Sequence, residues 1–247
     1  VIRKINSTKQ DLKTSSYFTD SLSAIQEAQI KHPHLKEIDT IVCFGLGHFP
    51  WCVASRNQLA FISLLREHFC VKEILFQDPA FTSGETEILR NIDFNVIPDN
   101  IEGKFETDPE EIYLFYLPHC PKQLTNNLLW QNWSSKLSNI LLISNSFSGV
   151  LLSEPKKKLR INAGLILKAE DFAEEIPLEN SFIFTDIFND ISIHIFPKDL
   201  IETRPEGFWE EKGPEPVYCD PEFITAALEK ITLQDGESSS HTEISTE

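Results

Sequence analysis

The stretch Asp39-Thr-Ile-Val-Cys-Phe-Gly-Leu-Gly-His-Phe-Pro-Trp-Cys-Val-Ala-Ser-Arg-Asn-Gln-Leu-Ala60 decides the fold of this chain. It begins with a β-branched and apolar run, residues 41–44, which predicts a buried strand. Gly45 and Gly47 then allow a tight turn, and a helical pattern follows them. In this order of elements, the N–H groups at the start of the helix lie where an anionic group can bind. The stretch therefore predicts the place of a small-molecule site and leaves the identity of the ligand open.

The turn departs from the dinucleotide fingerprint at its third glycine position, which is occupied by Pro50. In that fingerprint the third glycine lets the helix pack closely on the strand. Pro50 and the neighbouring Trp51 therefore argue against a standard nicotinamide or flavin site. A short connection between strand and helix that binds no ligand is the alternative interpretation.

Strand patterns alternate with helix-length segments along the first two thirds of the chain. Several of these strands are apolar on both faces, which is typical of a parallel sheet covered by helices on both sides. The sequence therefore predicts an α/β protein with a Rossmann-like three-layer fold, a mainly parallel sheet and helices on both faces. The predicted strands are residues 40–44, 73–77, 94–98, 112–117 and 139–143, with short strands at 182–184 and 192–196.

The chain divides into four regions by composition and pattern. Residues 1–38 form an N-terminal arm and helix, of which 1–17 are predicted as a loose arm because they are polar and mixed in charge. Residues 39–197 form the α/β domain, and 198–234 form its C-terminal extension. Residues 235–247 are rich in Ser, Thr and Glu without an aromatic residue, so we expect a disordered acidic tail.

Charge and cysteine content exclude several classes of function. The 247 residues carry a net charge of −16, and such a surface repels phosphate backbones and anionic membranes, which argues against direct nucleic-acid binding. No segment approaches the ~18 uninterrupted apolar residues of a membrane span, and the N-terminus lacks the apolar core of a signal peptide. The five cysteines lack Cys-x-x-Cys spacing, which predicts reduced thiols and a cytoplasmic protein that is also able to act in the nucleus.

Distinctive residues follow the predicted strands at the edge where ligands bind in open parallel sheets. Asp78 follows the second strand, where an acidic side chain can accept a hydrogen bond from a ribose hydroxyl. The other clusters follow the strands that end at residues 44, 117 and 143. We therefore predict a pocket for a small molecule or a protein partner, formed by Gly45, Gly47, His48, Asp78, His119, Cys120, Asn145 and Ser146.

His119 and Cys120 each have two interpretations. An imidazole beside a thiol can serve in acid–base or nucleophilic chemistry, and a zinc site of His48, Cys52, His119 and Cys120 is a further alternative. In a purely structural role, His119 caps the following helix and Cys120 is a small buried residue. The Cys120-Pro121 dipeptide has the form found in haem-responsive proteins, where a thiolate ligates the iron. The cofactor is therefore left open between haem and a nucleotide.

Motifs of several large enzyme classes are absent from the sequence. It contains no Gly-x-x-x-x-Gly-Lys-Ser/Thr loop, no Gly-x-Ser-x-Gly elbow and no His-Glu-x-x-His. ATPase, serine-hydrolase and zinc-protease functions therefore have no support.

The ordered set of motifs between about residues 39 and 197 resembles the Sensitivity-to-Red-light-Reduced-like family, in particular its animal members. Two replacements depart from the family pattern, Ser144 in place of an expected glycine and Ile191 in place of an expected threonine, and both affect only the local turn. The matching motifs are Cys-Phe-Gly-Leu-Gly-His-Phe (43–49), Ala-Ser-Arg-Asn-Gln-Leu (54–59), Asp-Pro-Ala-Phe (78–81) with Glu85 and Leu89, Phe-Tyr-Leu-Pro-His-Cys (115–120), Asn-Asn-Leu-Leu-Trp-Gln-Asn-Trp (126–133), Ser-Asn-Ser-Phe (144–147) and Phe-Asn-Asp-Ile-Ser-Ile-His (188–194).

The resemblance implies a regulatory function more than a catalytic one. The family is associated with circadian rhythm and light signalling in plants, and with haem biosynthesis and clock-gene expression in animals, and it supplies no catalytic residues. The first hypothesis is therefore a regulatory protein that acts through the predicted pocket. The second is an enzyme that acts on a nucleotide or small metabolite with His119 as acid–base, and the third is an interaction scaffold that uses its acidic surface and tail.

Overall fold

The structure is a computed structural model, and it describes residues 1–218 and 223–226. In this part of the chain, seven strands form one mixed sheet in the order β3-β2-β1-β4-β5-β7-β6. The strands are β1 (Thr40–Phe44), β2 (Glu73–Gln77), β3 (Asn95–Val96), β4 (Tyr113–Leu117), β5 (Ile140–Asn145), β6 (Glu174–Pro177) and β7 (Ile191–Ile195).

Strands β1 to β5 are parallel to one another, whereas β7 runs antiparallel to both of its neighbours, β5 and β6. The chain leaves β1 towards β2 on one side and later returns to place β4 on the other side of β1. The order of the strands therefore reverses between β1 and β4, which makes their carboxyl ends the topological switch point of the sheet. This arrangement confirms the predicted Rossmann-like fold with a mainly parallel sheet.

Helices cover both faces of the sheet. Successive residues of β1 point to opposite faces, so Ile41 and Cys43 join the core on the side of the first four helices. Val42 and Phe44 join the core on the side of the later helices. The helices are α1 (Ile2–Lys13), α2 (Ser16–Lys31), α3 (Val53–Phe69), α4 (Ser83–Asn91), α5 (Lys122–Gln131), α6 (Phe147–Ser153), α7 (Lys156–Asn162), α8 (Gly164–Ala169) and α9 (Lys198–Glu202), with short 3-10 helices at Pro33–Leu35, Ser135–Asn139 and Glu206–Lys212. Among the described residues, no helix is both long and apolar enough to cross a membrane.

The N-terminal residues are part of the domain, and the prediction of a loose arm over residues 1–17 was wrong. They form α1, and Tyr17 lies in the first turns of α2. Ile5 and Leu12 of α1 are buried in the same core as α3. These two residues are seven positions apart, so they lie on one face of the helix. Because α1 has so few apolar residues among its twelve, its helical pattern is hard to recognise in the sequence.

Two further expectations differ from the structure. Residues 182–184 form no strand, because they belong to a bent segment in which Phe182 packs into the core. The edge strand β6 was not predicted, since its residues are mostly half-exposed and charged. The strand predicted at 192–196 is confirmed as β7. The predicted acidic tail, 235–247, and part of the extension 198–234 lie outside the described residues.

Candidate functional site

The glycine turn after β1 is stabilised by the carboxylate that follows β2. Gly45 and Gly47 both have left-handed backbone angles, φ +64° and +75°, which only glycine adopts without strain. The backbone N–H of Gly47 donates to Asp78 Oδ2 at 2.7 Å, and Ala80 N–H donates to Asp78 Oδ1 at 2.8 Å. Both oxygens of Asp78 are therefore engaged by the backbone of the two turns.

Cys120 fills the space beside the first glycine. A Cβ atom on Gly45 would lie 2.5 Å from the Cys120 sulfur. The thiol is buried and donates to the carbonyl oxygen of Phe44 at 3.3 Å. Burial, with a contribution from the negative charge of Asp78, raises the pKa of Cys120 above its usual range. The side chain therefore acts as a packed, protonated thiol, and this environment does not favour the thiolate that haem ligation or nucleophilic attack requires.

At the switch point the structure leaves a small cavity of about 120 Å³, here called the narrow crevice. Phe223 and Ile224 cover it, and Asn100 Nδ2 donates to the carbonyl oxygen of Ile224 at 3.0 Å. Pockets for small molecules usually have volumes of roughly 300–1,000 Å³. The narrow crevice is thus too small for a nucleotide while Phe223 and Ile224 occupy these positions. Its lining includes Gly45, Gln77, Asp78, Pro79, Asn100, Cys120, Pro121 and Leu124.

The loops after β4 and β5 are joined by one amide side chain. His119 has a left-handed backbone, φ +55°, which is uncommon outside glycine. Its backbone N–H donates to Asn145 Oδ1 at 2.6 Å, and Asn145 Nδ2 donates to the carbonyl oxygen of Cys120 at 2.9 Å. Asn145 therefore stabilises the turn that presents His119.

The imidazole of His119 is exposed and has a defined orientation. Its Nε2 atom lies 3.0 Å from the carbonyl oxygen of Ile187. A carbonyl oxygen only accepts hydrogen bonds, so Nε2 carries the hydrogen and Nδ1 of the neutral ring keeps its lone pair. Ser146, the neighbour of Asn145, caps α6 by accepting a hydrogen bond from Gly149 N–H at 3.0 Å.

A larger cavity of about 540 Å³ lies beside these two loops, and we call it the wide cavity. Its volume is in the range of small-molecule pockets. The lining combines an imidazole, an ammonium, an amide, hydroxyls and a carboxylate with few apolar groups, which suits a polar ligand with both donors and acceptors. The lining residues are His119, Lys122, Asn145, Ser146, Gly149, Val150, Ser153 and Asp190.

Two residues that the sequence analysis missed support the wall of the wide cavity. Glu175 of β6 accepts hydrogen bonds from Ser148 N–H at 2.9 Å and from the Ser192 hydroxyl at 2.9 Å. Burial acts to raise the pKa of Glu175, but hydrogen bonds from neighbouring groups, including Ser148 N–H and the Ser192 hydroxyl, outweigh it and hold the pKa well below the usual range. His194 is fully buried and accepts from Phe147 N–H at 3.2 Å, and burial lowers its pKa. Both residues thus stabilise the first turn of α6. This role follows from their positions on the adjacent antiparallel strands β6 and β7, which the sequence pattern alone does not indicate.

His48 lies outside the linings of both cavities. Its Nδ1 atom is 3.1 Å from each oxygen of Glu85, a residue that the sequence analysis did not place in the pocket. Glu85 is buried, and it accepts from Thr82 N–H at 2.9 Å in a capping box at the start of α4. The structure therefore separates the predicted pocket into the narrow crevice, the wide cavity and this histidine–glutamate pair.

The four-ligand zinc alternative finds no support in the geometry. Within residues 1–218 and 223–226, no three His, Cys, Asp or Glu side chains are grouped closely enough to hold a metal ion. His48 is directed to Glu85 and Cys120 to a backbone carbonyl, so these two residues do not converge.

Fold and site together define a Rossmann-like α/β protein with polar loops and a ligand-sized cavity at the carboxyl ends of its parallel strands. The SRR1 domain family model matches residues 16–195, and the chain therefore belongs to the SRR1 domain family. An SRR1-like protein of Drosophila melanogaster is 35% identical over 213 residues, which are 85% of this chain and 74% of that protein. The Arabidopsis thaliana protein SENSITIVITY TO RED LIGHT REDUCED 1 is 26% identical over 218 residues, 82% of this chain and 77% of that protein.

Among solved structures, the plantazolicin methyltransferase BamL, in complex with a triazolic desmethylPZN analogue and SAH, aligns with a TM-score of 0.34 and 10% identity. The alignment covers 99% of this chain and 85% of that one. The fold assignment rests on the strand order of this chain, and nothing about its activity follows from that alignment.

Proposed function

We propose that this chain is a regulatory protein that binds a small polar molecule in the wide cavity and, through that binding, influences haem biosynthesis and clock-gene expression. Membership of the SRR1 domain family supports the regulatory part of the proposal. The main support for ligand binding is the wide cavity itself, because it has the volume of a ligand pocket and lies at the sheet edge where this fold class binds ligands. We propose the cytoplasm, and the nucleus in addition, as its location.

The chemistry of the lining favours a nucleotide or another polar metabolite over haem. Lys122 contributes an ammonium group, and His119 a ring nitrogen that can accept a hydrogen bond. Haem needs a large apolar surface and an axial ligand, and Cys120 has a buried thiol that is bonded to a backbone carbonyl. We also propose a protein partner that binds the ligand-bound form of this chain. Direct contact with nucleic acid is not part of the proposal.

Complementation of depleted cells tests this function. Val150 lines the cavity, so Val150→Trp should fill it, whereas Val150→Ile should leave it open. We expect wild type and Val150→Ile to restore haem content and clock-gene transcripts, and Val150→Trp to fail at equal protein abundance. Restoration by Val150→Trp would contradict the proposal.

The second candidate is an enzyme with His119 as acid–base, and the free Nδ1 atom of its exposed ring favours it. A regulatory protein needs only to bind its ligand, whereas an enzyme also needs the acid–base group once the ligand is bound. A His119→Gln variant that still binds the cellular ligand should restore function if the protein is regulatory. If the protein is an enzyme, the same variant should bind the ligand and fail to restore function.

A further inference from the structure

The histidines of the described chain differ in which ring nitrogen is engaged. Among residues 1–218, His48 is the histidine that bonds through Nδ1 and leaves Nε2 without a protein partner. The other five each use Nε2: His32 towards Glu174, His34 towards Ser138, His68 towards Gln26, His119 towards Ile187 and His194 towards Phe147. His194 also has its Nδ1 atom 3.4 Å from the Ser144 hydroxyl.

The bond to Glu85 determines the tautomer of His48. A carboxylate only accepts hydrogen bonds, so Nδ1 of the neutral ring carries the hydrogen and Nε2 keeps its lone pair. Glu85 is 1% exposed, and Thr82 donates to its Oε2 atom through both its N–H and its hydroxyl, at 2.9 and 2.8 Å. The carboxylate is therefore fixed in place, and it fixes the imidazole in turn.

The ring of His48 is accessible and lies against an aromatic surface. Its side chain is 38% exposed. The ring of Trp51 stacks on it, with centroids 5.1 Å apart and planes at 27°. Trp51 is itself 64% exposed, so a large part of its ring is available to a planar or apolar group of a ligand.

We propose that His48 is a general base, positioned by Glu85, for a hydroxyl-bearing small molecule that packs on Trp51. In the step, the hydroxyl proton moves to Nε2 while the electron pair of the oxygen forms a bond to the carbonyl carbon of a second reactant, whose oxygen takes up the negative charge, and the carboxylate of Glu85 stabilises the imidazolium. Glu85 acts through His48 and is a positioning residue. The site is distinct from the wide cavity and independent of the function proposed for it.

A glutamine at position 85 provides a sharp test, because it preserves the fold and changes the tautomer. Glutamine at this position still completes a capping box. Thr82 N–H needs an acceptor, so the amide oxygen should point to it, and the NH₂ group should then face His48 Nδ1. Nδ1 would become the acceptor, and Nε2 would carry the hydrogen.

The experiment has two readouts on the full chain, the ring tautomer by nitrogen NMR and the acylation of each histidine by diethyl pyrocarbonate, mapped by mass spectrometry. In wild type we expect Nδ1–H on His48 and faster acylation there than at the other described histidines. In Glu85→Gln we expect the Nε2–H tautomer and acylation about tenfold slower or more, because Nε2 then carries the hydrogen and the lone pair of Nδ1 accepts from the glutamine amide.

The control is Glu174→Gln, which alters a second glutamate–histidine pair, that of His32. It should leave the tautomer and acylation of His48 unchanged. An Nε2–H tautomer in wild type would overturn the proposal, and so would a His48 acylation rate that is the same in wild type and Glu85→Gln.

Discussion

The narrow crevice and the wide cavity lie next to each other on the same sheet edge, yet their linings are packed differently. In the narrow crevice, Cys120 fills the space beside Gly45, Asp78 is bonded to backbone N–H groups, and Phe223 and Ile224 complete the lining. In the wide cavity, polar side chains from two loops face a volume of about 540 Å³. The crevice is packed like a core, whereas the cavity resembles a binding site.

This difference separates two roles of the residues after the strands. The glycine turn has the sequence of a ligand-binding turn, but here its left-handed angles serve close packing against Cys120. The loops after β4 and β5 lack a known ligand motif, but Asn145 positions them around open space. The predictions below test whether packing dominates in the first region and ligand binding in the second.

The largest expected effect is at Gly45. Gly45→Ala adds the strain of a left-handed residue, roughly 1–2 kcal/mol, to an overpacking cost of roughly 1–3 kcal/mol, so the free energy of unfolding should fall by about 3 kcal/mol. Denaturant titration of the purified variant measures this change. If the crevice were loosely packed, the loss would not exceed the strain alone.

A double variant isolates the packing part of that loss. Cys120→Ala removes the sulfur that a new Cβ at position 45 would meet. Measured against Cys120→Ala alone, Gly45→Ala with Cys120→Ala should therefore lose only the backbone strain, which is a coupling of roughly 1–3 kcal/mol between the two positions. Strict additivity of the two single changes would show that the contact carries no energy.

Much of the fold could be predicted from the sequence, because strands such as Ile41 to Phe44 are continuously apolar and glycines mark the turn after them. The site could be predicted only in part. His119, Asn145 and Ser146 were found from their place after strands, and the structure brings them together. Glu85, Glu175 and His194 were missed as parts of a site, since their partners are 37, 27 and 47 residues away and no local pattern records such contacts.

The next effect concerns the amide that joins the two loops of the wide cavity. Asn145→Ala removes two hydrogen bonds, so the free energy of unfolding should fall by about 2 kcal/mol at roughly 1 kcal/mol each. Asn139→Ala is the matched control, because the Asn139 side chain also makes two hydrogen bonds, an exposed one to Pro109 O and a long one of 3.4 Å from the Ser138 hydroxyl. Denaturant titration should give a clearly smaller loss for the control. Equal losses would refute the role assigned to Asn145.

Acid should weaken the wall of the wide cavity through Glu175. Its pKa in the folded protein is lowered from the ordinary 4.5, so its contribution to stability is complete above pH 4.5 and is lost as the pH falls below it. Because the side chain is 20% exposed, we expect Glu175→Gln to cost only about 1.5 kcal/mol at pH 7, the lower end for hydrogen bonds to a charged group. Unfolding measured from pH 7 to pH 3 should show the two proteins converging. A constant difference would rule out the ionised carboxylate as the source.

The smallest effect is at the cover of the narrow crevice. Asn100→Ala removes the bond to Ile224 O together with the bonds that Asn100 Oδ1 accepts from Gln77 Nε2 and Glu102 N–H. The labelling of Cys120 by a thiol reagent should then accelerate at least about fivefold, as expected for the loss of roughly 1 kcal/mol or more from a local opening. Asn180→Ala, at a distant loop where Asn180 bonds to Thr185 O, is the control and should leave that rate unchanged. Peptide mapping by mass spectrometry resolves Cys120 from the other thiols. Unchanged labelling in Asn100→Ala would mean that residues 223–226 do not protect the crevice.

We propose that a cellular ligand occupies the wide cavity and not the narrow crevice. Native mass spectrometry of the protein purified from its own kind of cell, without chelator, tests this proposal on three chains: wild type, Val150→Trp and Asp78→Asn. We expect a stoichiometric extra mass on wild type and on Asp78→Asn that is absent from Val150→Trp. An extra mass that persists in Val150→Trp and disappears in Asp78→Asn, or a wild-type protein without any bound mass, would contradict it.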